Sequence, residues 1–256
     1  MSVHDPTAFR SERLPTAYFD TRFSDENLAF WVPILLESAR IESGLGVVDV
    51  GCGTGGFSRA IARATGARVT GYDRSDKFIA AAKELTTRDA GTVDWVVGDA
   101  EQLPFPPASF DRVLLSLVLH QLSNPAAAAN EAFRVLRAGG LVLVRTITPE
   151  DAVERVPARY IAAIAEADAA RLPSLDAIFE WLEQAGFVAL RAERHWRNKQ
   201  LTLADQEREL WTEVAHRYTF IRDEQLEAAL ARMRSDAARG AWIDPRPAQI
   251  IVAAKP

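Results

Sequence analysis

Five short apolar runs punctuate the stretch from residue 46 to 147: GVVDV (46–50), ARVTGY (67–72), VDWVVG (93–98), FDRVLLSLVL (110–119) and LVLVRTI (141–147). Continuous apolar runs of this length mark strands buried on both faces. The segments between them carry helical spacing instead. Phe57, Ile61 and Ala64 share one face of GGFSRAIARAT. Phe78, Ile79, Ala82 and Leu85 do the same in a helix that Ser75 can cap and that runs to about Arg88. NPAAAANEAFRVLRAGG (124–140) reads as a helix, with proline just inside its start and glycine past its end. Parallel strands need crossovers of this kind, so the alternation predicts a parallel sheet with helices on both faces.

The flanks differ. Residues 24–41 read as a helix with Ser24 as N-cap and acids in its first turn, which Pro33 kinks or divides. After Thr148 the pattern turns helical through residue 186, with Gly186 as C-cap, followed by a strand at 187–196. Two amphipathic helices then span 203–238, and AQIIVAAK (248–255) forms a last strand that returns to the sheet. The expected organisation is one domain over 1–256: an N-terminal helical lid (1–43), a core (44–148), a helical cap with the sixth strand (149–246) and the last strand (247–256). At 256 residues and 48% hydrophobic content the chain can bury a sizeable core. A net charge of −5 argues against a nucleic-acid partner. The single cysteine excludes an internal disulfide, and the histidines at 4, 120, 195 and 216 lack metal-ligand spacing, so no metal is expected. The N-terminus has no apolar signal core and no run is long enough to span a bilayer, so a cytoplasmic monomer or homodimer without membrane attachment is expected.

The chemistry gathers around VVDVGCGTGGFS (47–58), four glycines in six positions at a strand–helix junction. In open α/β sheets, ligands sit at the carboxyl ends of strands where the topology switches. The loop satisfies both G-x-G-x-G and the dinucleotide fingerprint G-x-G-x-x-G, so its flanks decide. A pyrophosphate wants backbone N–H groups and a positive helix end. Asp49, two residues before the first glycine, opposes an anion and suits an ammonium or sulfonium ligand; it can equally lock the turn by hydrogen bonds to backbone, and both roles can coexist. Asp73, ending GYD, can accept from two ribose hydroxyls or cap the following helix. In GDAEQLPFPPASFD, Asp99 can accept from an adenine amino group while the Ala100 N–H donates to the ring. Leu103 and Phe105 line that slot or only pack the loop.

These motifs, VVDVGCGTGGFS, GYDRS, GDAEQLPF, LLSLVLHQL and FRVLRAGGLVLV, occur in an order and spacing that resemble the class I S-adenosylmethionine-dependent methyltransferases. The resemblance is close over about 44–147 and loose elsewhere. It implies a Rossmann-like α/β fold: a seven-stranded, mostly parallel sheet with an antiparallel last strand. It also implies S-adenosyl-L-methionine as donor and S-adenosyl-L-homocysteine as product. By the same resemblance Gly51, Gly53 and Gly55 let the methionine portion approach the backbone, with Cys52 filling a corner among them. Asp49 faces its amino group, helped by backbone near Ser116 and Leu117. Asp73 takes the ribose and Arg74 flanks the adenine, while Asp99, Ala100 and Glu101 meet the adenine edge. Tyr18 and Arg22, in YFDTRF, close over the donor and meet its carboxylate.

Methyl transfer from a sulfonium needs alignment above all, and a base only where the acceptor must lose a proton. His120, just after the fourth strand, is the candidate base; a structural histidine at that junction is the competing reading. His195 and His216 read as solvated residues of the cap. Its aromatics (Tyr160, Phe179, Trp181, Trp196, Trp211, Tyr218, Phe220, Trp242) read mostly as core, with a few shaping an acceptor pocket and Phe30 and Trp31 as a second wall. No NPPY-type motif follows the fourth strand. The expected acceptor is a small organic molecule. Two other classes stay open: a non-methylating member of the fold that uses the bound donor for cyclisation, and a nicotinamide-dependent oxidoreductase.

Overall fold

The computed structural model describes residues 23–86, 93–199, 202–239 and 244–256. The order of elements is α1 (Asp25–Ala39), β1 (Gly46–Val50), α2 (Gly56–Thr65), β2 (Arg68–Asp73), α3 (Asp76–Thr86), β3 (Val93–Val97), β4 (Phe110–Ser116), a 3-10 turn (Leu119–Gln121), α4 (Pro125–Val135) and β5 (Leu136–Thr146). There follow α5 (Pro149–Ala152), α6 (Val156–Tyr160), α7 (Ala162–Arg171), α8 (Leu175–Ala185), β6 (Val188–Lys199), α9 (Leu203–His216), α10 (Asp223–Ala237) and β7 (Asp244–Ala254).

The strands form a seven-stranded sheet in the order β3-β2-β1-β4-β5-β7-β6. β1 pairs in parallel with both β2 and β4, so the topology switches at the carboxyl end of β1. β7 closes antiparallel to β5: Gly139 N–H donates to the Lys255 carbonyl at 2.9 Å, and Lys255 N–H returns to Gly140 at 2.9 Å. All five residues of β1 are buried, including Asp49. Such a strand is fixed from both neighbours, which makes its end a rigid platform. Asp111 adds a pin at its start, accepting the Gly46 N–H at 2.7 Å and Arg137 at 2.8 Å. Burial pushes the Asp111 carboxyl up, but the Arg137 guanidinium and the Gly46 N–H outweigh it and hold the group below its ordinary range.

Local signals explain most boundaries. Ser24 caps α1 by accepting the Asn27 N–H at 3.3 Å, and Ser75 accepts the Phe78 N–H at the start of α3. Two expectations are corrected. Pro33 does not divide α1, which runs unbroken from Asp25 to Ala39. Both Pro33 and Ala29, whose carbonyl loses its partner, are exposed, so water can take the freed group. The helix expected over 124–140 stops at Val135, and β5 begins at once. The pairing shifts between Phe110↔Leu136 and Arg112↔Leu141, and Gly139 (φ 75°) supplies the left-handed turn of that irregularity.

The chain divides into two compact units. One comprises residues 1–146, 176–193 and 250–256 and holds the glycine loop; the other comprises 147–175 and 194–249. The second unit has its own apolar cluster, in which Ile164, Leu210, Leu226, Ala229, Leu230 and Met233 are almost fully buried. Within it Asp168 is 3% exposed and accepts hydrogen bonds from Tyr218, Arg171 and Arg217 at 2.9, 3.0 and 3.2 Å.

Candidate active site

The glycine loop hangs on β2. Gly51 and Cys52 N–H both donate to the Tyr72 carbonyl, at 2.7 and 3.1 Å, and Gly55 N–H donates to Cys52 at 3.0 Å. The Asp73 carboxylate then grips the turn from the side. One oxygen accepts the Gly53 N–H at 2.8 Å and the other the Ser75 N–H at 2.9 Å. Asp73 therefore fills the helix-start role weighed from sequence.

What surrounds each glycine separates packing from ligand space. A Cβ on Gly55 (φ 75°) would lie 1.9 Å from Cη2 of Trp95, so the glycine there makes room for the indole. A Cβ on Gly53 (φ 58°) would meet nothing closer than Phe23 Cζ at 3.9 Å. Gly53 is thus the loop position where backbone faces open space among the described residues. That is the cradle a backbone-hugging ligand needs.

Two acids set the electrostatics. Asp49 is 2% exposed and accepts the Ser58 hydroxyl at 2.5 Å. Asp73 is 9% exposed. The Cys52 thiol between them has its pKa driven up, first by burial and then by the fields of Asp49 and Asp73. The thiol stays protonated, which leaves Cys52 its space-filling role. Arg59 acts on Cys52 in the opposite sense and donates to the Thr54 carbonyl at 2.6 Å, but two carboxylates against one guanidinium leave the loop acidic, which favours a cation over a phosphate.

The adenine-side residues sit on the loop after β3. Asp99 is exposed; its carboxylate accepts the Glu101 N–H at 2.9 Å, and its carbonyl accepts the Tyr72 hydroxyl at 3.1 Å. Burial, with Asp99 and Glu131 nearby, pushes the Tyr72 phenol up to about 12. Ala100 is buried. Glu101 reaches away to the Asn124 N–H at 2.7 Å, at the start of α4. Glu131 and Arg134 of α4 brace the loop: Leu103 N–H donates to Glu131 at 2.7 Å, and Arg134 donates to the Phe105 and Leu103 carbonyls at 2.7 and 2.9 Å. Arg74 is exposed just past β2.

At the end of β4, Ser116 is buried and Leu117 adopts φ 56°, a left-handed conformation that costs a non-glycine residue about 1–3 kcal/mol. The Leu117 N–H is held by the Arg145 carbonyl at 2.8 Å. His120 follows in the 3-10 turn and is half-buried. Tyr18 and Arg22 lie outside the described residues, as does Trp242. The cap aromatics are less buried than expected. Tyr218 is core, but Trp196, Trp211 and Phe220 are 45%, 49% and 54% exposed.

Two site-forming residues escape sequence reasoning. Trp95 fills the space beside Gly55 and Gly71, and its indole N–H donates to Thr86 at 3.1 Å. Arg145 is 3% exposed in β5; its guanidinium lies 4.7 Å from the Trp31 ring centre and 4.8 Å from that of Phe57, and its Nε donates to Ser116 at 3.0 Å. An arginine inside LVLVRTI, an otherwise apolar buried strand, is the signal that points to it.

Residues 48–144 match the family model described as a methyltransferase domain. The chain is 41% identical over 126 residues to the malonyl-[acyl-carrier protein] O-methyltransferase of Erwinia pyrifoliae, a match covering 49% of this chain and 46% of that protein. It therefore spans less than half the length of that relative. It is 31% identical over 168 residues to the demethylmenaquinone methyltransferase of Staphylococcus aureus, covering 64% of this chain and 69% of that one. The fold is shared with a protein from an antibiotic biosynthesis pathway of Anabaena variabilis, with TM-score 0.71 and 22% identity over 92% of this chain and 99% of the other.

Proposed function

We propose that this chain, which belongs to the class I S-adenosylmethionine-dependent methyltransferase family, binds S-adenosyl-L-methionine at the glycine loop and transfers its methyl group to a small organic acceptor. The observation that carries this reading is the pairing of open space over Gly53 with two carboxylates, Asp49 and Asp73, around the loop. The donor set fits the group: acceptors for an ammonium and for hydroxyls, with the two carboxylates Asp49 and Asp73 against one loop-side guanidinium, Arg59, which is committed to the Thr54 carbonyl at 2.6 Å.

When bound, the sulfonium supplies an activated methyl whose leaving group is neutral. The chain's own part is to hold and align. Gly53 lets the aminoacyl portion lie against the backbone. Asp49 faces the ammonium and Asp73 turns its carboxylate to the ribose. Asp99 and the Ala100 N–H read the adenine edge, with Arg74 flanking it. The backbone at Ser116 and Leu117, held in its strained form by Arg145, presents polar groups toward the same ammonium. His120 is placed to take a proton from an acceptor that must lose one.

The two relatives are named for different acceptors, a malonyl group on a carrier protein and demethylmenaquinone, so they do not choose this one. The test is turnover. The protein is incubated with S-adenosyl-L-methionine and a panel of carboxylic acids, phenols and amines, and S-adenosyl-L-homocysteine is quantified. Product formed with one acceptor class and lost in a Gly53→Val variant supports the reading. Tight binding of the donor with no homocysteine product for any acceptor would move the chain to a non-methylating use of it. Binding of NAD in place of both would overturn it.

A further inference from the structure

A cleft of about 400 Å³ opens on the second unit, lined by Arg159, Tyr160, Arg232, Ser235, Asp236 and Arg239. It brings three guanidinium groups against one carboxylate, in a chain of net charge −5. Like charges gathered in one concavity repel, so such a cluster asks for a counter-charge.

The carboxylate is already committed. Asp236 accepts the Tyr160 hydroxyl at 2.9 Å and pairs with Arg239 at 3.3 Å. Arg239 also donates to the Ser235 hydroxyl and carbonyl, at 3.1 and 3.3 Å. It lies just past the carboxyl end of α10, where a helix favours a cation, and so has a structural reason to be there. Arg159 and Arg232 have no such account. Neither has a carboxylate partner among the described residues. Arg232 is held by the Tyr160 carbonyl, with its guanidinium 5.6 Å from the Tyr160 ring centre, which orients it without neutralising it. Arg159 lines the cleft and is exposed.

We propose that this cleft is a binding site for a phosphorylated small molecule, the phosphoryl group lying between Arg159 and Arg232. A carboxylate has two oxygens and is satisfied by a single arginine fork, whereas a phosphoryl dianion has three and matches two forks converging from different helices. The volume falls within the range of small-molecule sites and leaves room beyond the phosphoryl group for an organic body against the Tyr160 ring. All six lining residues belong to the second unit.

The experiment is calorimetric titration of the full chain with ribose 5-phosphate, inorganic phosphate, ribose and benzoate at constant ionic strength. The expected result is saturable binding of the phosphate monoester, tighter than inorganic phosphate, with no heat from ribose and little from benzoate. Arg159→Gln/Arg232→Gln should weaken the monoester at least about tenfold while S-adenosyl-L-homocysteine binds as before. Arg159→Gln alone, at an exposed and unpaired position, serves if the double variant does not fold. Undiminished binding in the variants, heats no different from sodium chloride, or benzoate binding as tightly as the monoester would each overturn the proposal. Inorganic phosphate binding as tightly as the ester would restrict the site to the free ion and overturn its organic part.

Discussion

Gly53 and Gly55 share a left-handed backbone yet should respond to alanine in opposite ways. In Gly53→Ala the new methyl meets nothing within 3.9 Å, so the fold loses only the left-handed penalty. That penalty is about 1–2 kcal/mol, offset by about 0.4–1 kcal/mol from the stiffer unfolded chain. A net loss of at most about 1.5 kcal/mol should lower the thermal midpoint by no more than about 6 °C, at roughly 2–4 °C per kcal/mol for a domain of this size. In Gly55→Ala the methyl lands 1.9 Å from Trp95, whose indole is tethered to Thr86. Overpacking of about 1–3 kcal/mol adds to the backbone penalty, and the midpoint should fall by about 5–15 °C. Donor binding should show the reverse. If S-adenosyl-L-homocysteine lies against Gly53, the methyl there intrudes on it by a similar 1–3 kcal/mol, about 5- to 150-fold in Kd. Scanning calorimetry and titration on both variants read the two quantities separately. A Gly53→Ala protein that binds the homocysteine product as tightly as the parent would refute the placement of the donor over that residue.

Asp73→Asn should weaken the same ligand by about 1.5–3 kcal/mol and also destabilise the free protein, since an amide cannot accept both backbone N–H groups; a loss of stability with unchanged Kd would make Asp73 only the turn's pin. Cys52 should resist iodoacetamide at pH 8 in the folded protein and react at once in urea, because its thiol is buried and its pKa is raised; labelling at equal rates would place it elsewhere. Arg145→Lys keeps the charge but gives up the stacking on Trp31 and Phe57, and should cost about 1–3 kcal/mol by urea unfolding. The Asp111 pKa is depressed on folding, so its stabilisation is present above the unfolded value near 3.8 and fades as pH falls through the folded one; Asp111→Asn should flatten the acid limb of stability against pH only below about pH 4.

The sheet was legible because doubly buried parallel strands leave continuous apolar runs, and β1, β2, β4 and β5 are such strands. The end of α4 was not legible. RVLRAGG has helical spacing and a glycine stop, and it takes pairing with β4 at Leu136 and with Lys255, more than a hundred residues away, at Gly139 and Gly140 to turn it into strand. The acids of the site stood out because a charge at a buried strand end needs a reason. Trp95 did not, since an aromatic in VDWVVG looks like ordinary core until Gly55 and Gly71 are seen beneath it. The exposure of Trp196, Trp211 and Phe220 was hidden for the same reason: periodicity tells which residues share a face, not what covers that face.

The glycine fingerprint alone admits either a dinucleotide or an aminoacyl sulfonium, and the choice between them is electrostatic. Helix α2 offers a positive end at Gly56, which by itself would welcome a phosphate. Its effect is about half an elementary charge and fades within a turn. Against it stand Asp49 and Asp73, two buried side chains whose fields add to burial in raising the pKa of the Cys52 thiol inside the loop. At roughly 5 Å and an effective dielectric near 20, each carboxylate contributes about 3 kcal/mol per unit charge, repulsive toward a pyrophosphate and attractive toward an ammonium. Two such contributions outweigh the helix end together with the single guanidinium of Arg59, which acts on Cys52 less than either acid does. Under the proposed function, the same loop that would bind a phosphate in a neutral setting serves a cation instead, and the hydroxyl of Ser58 and the N–H of Gly53 hold the two acids in place for it.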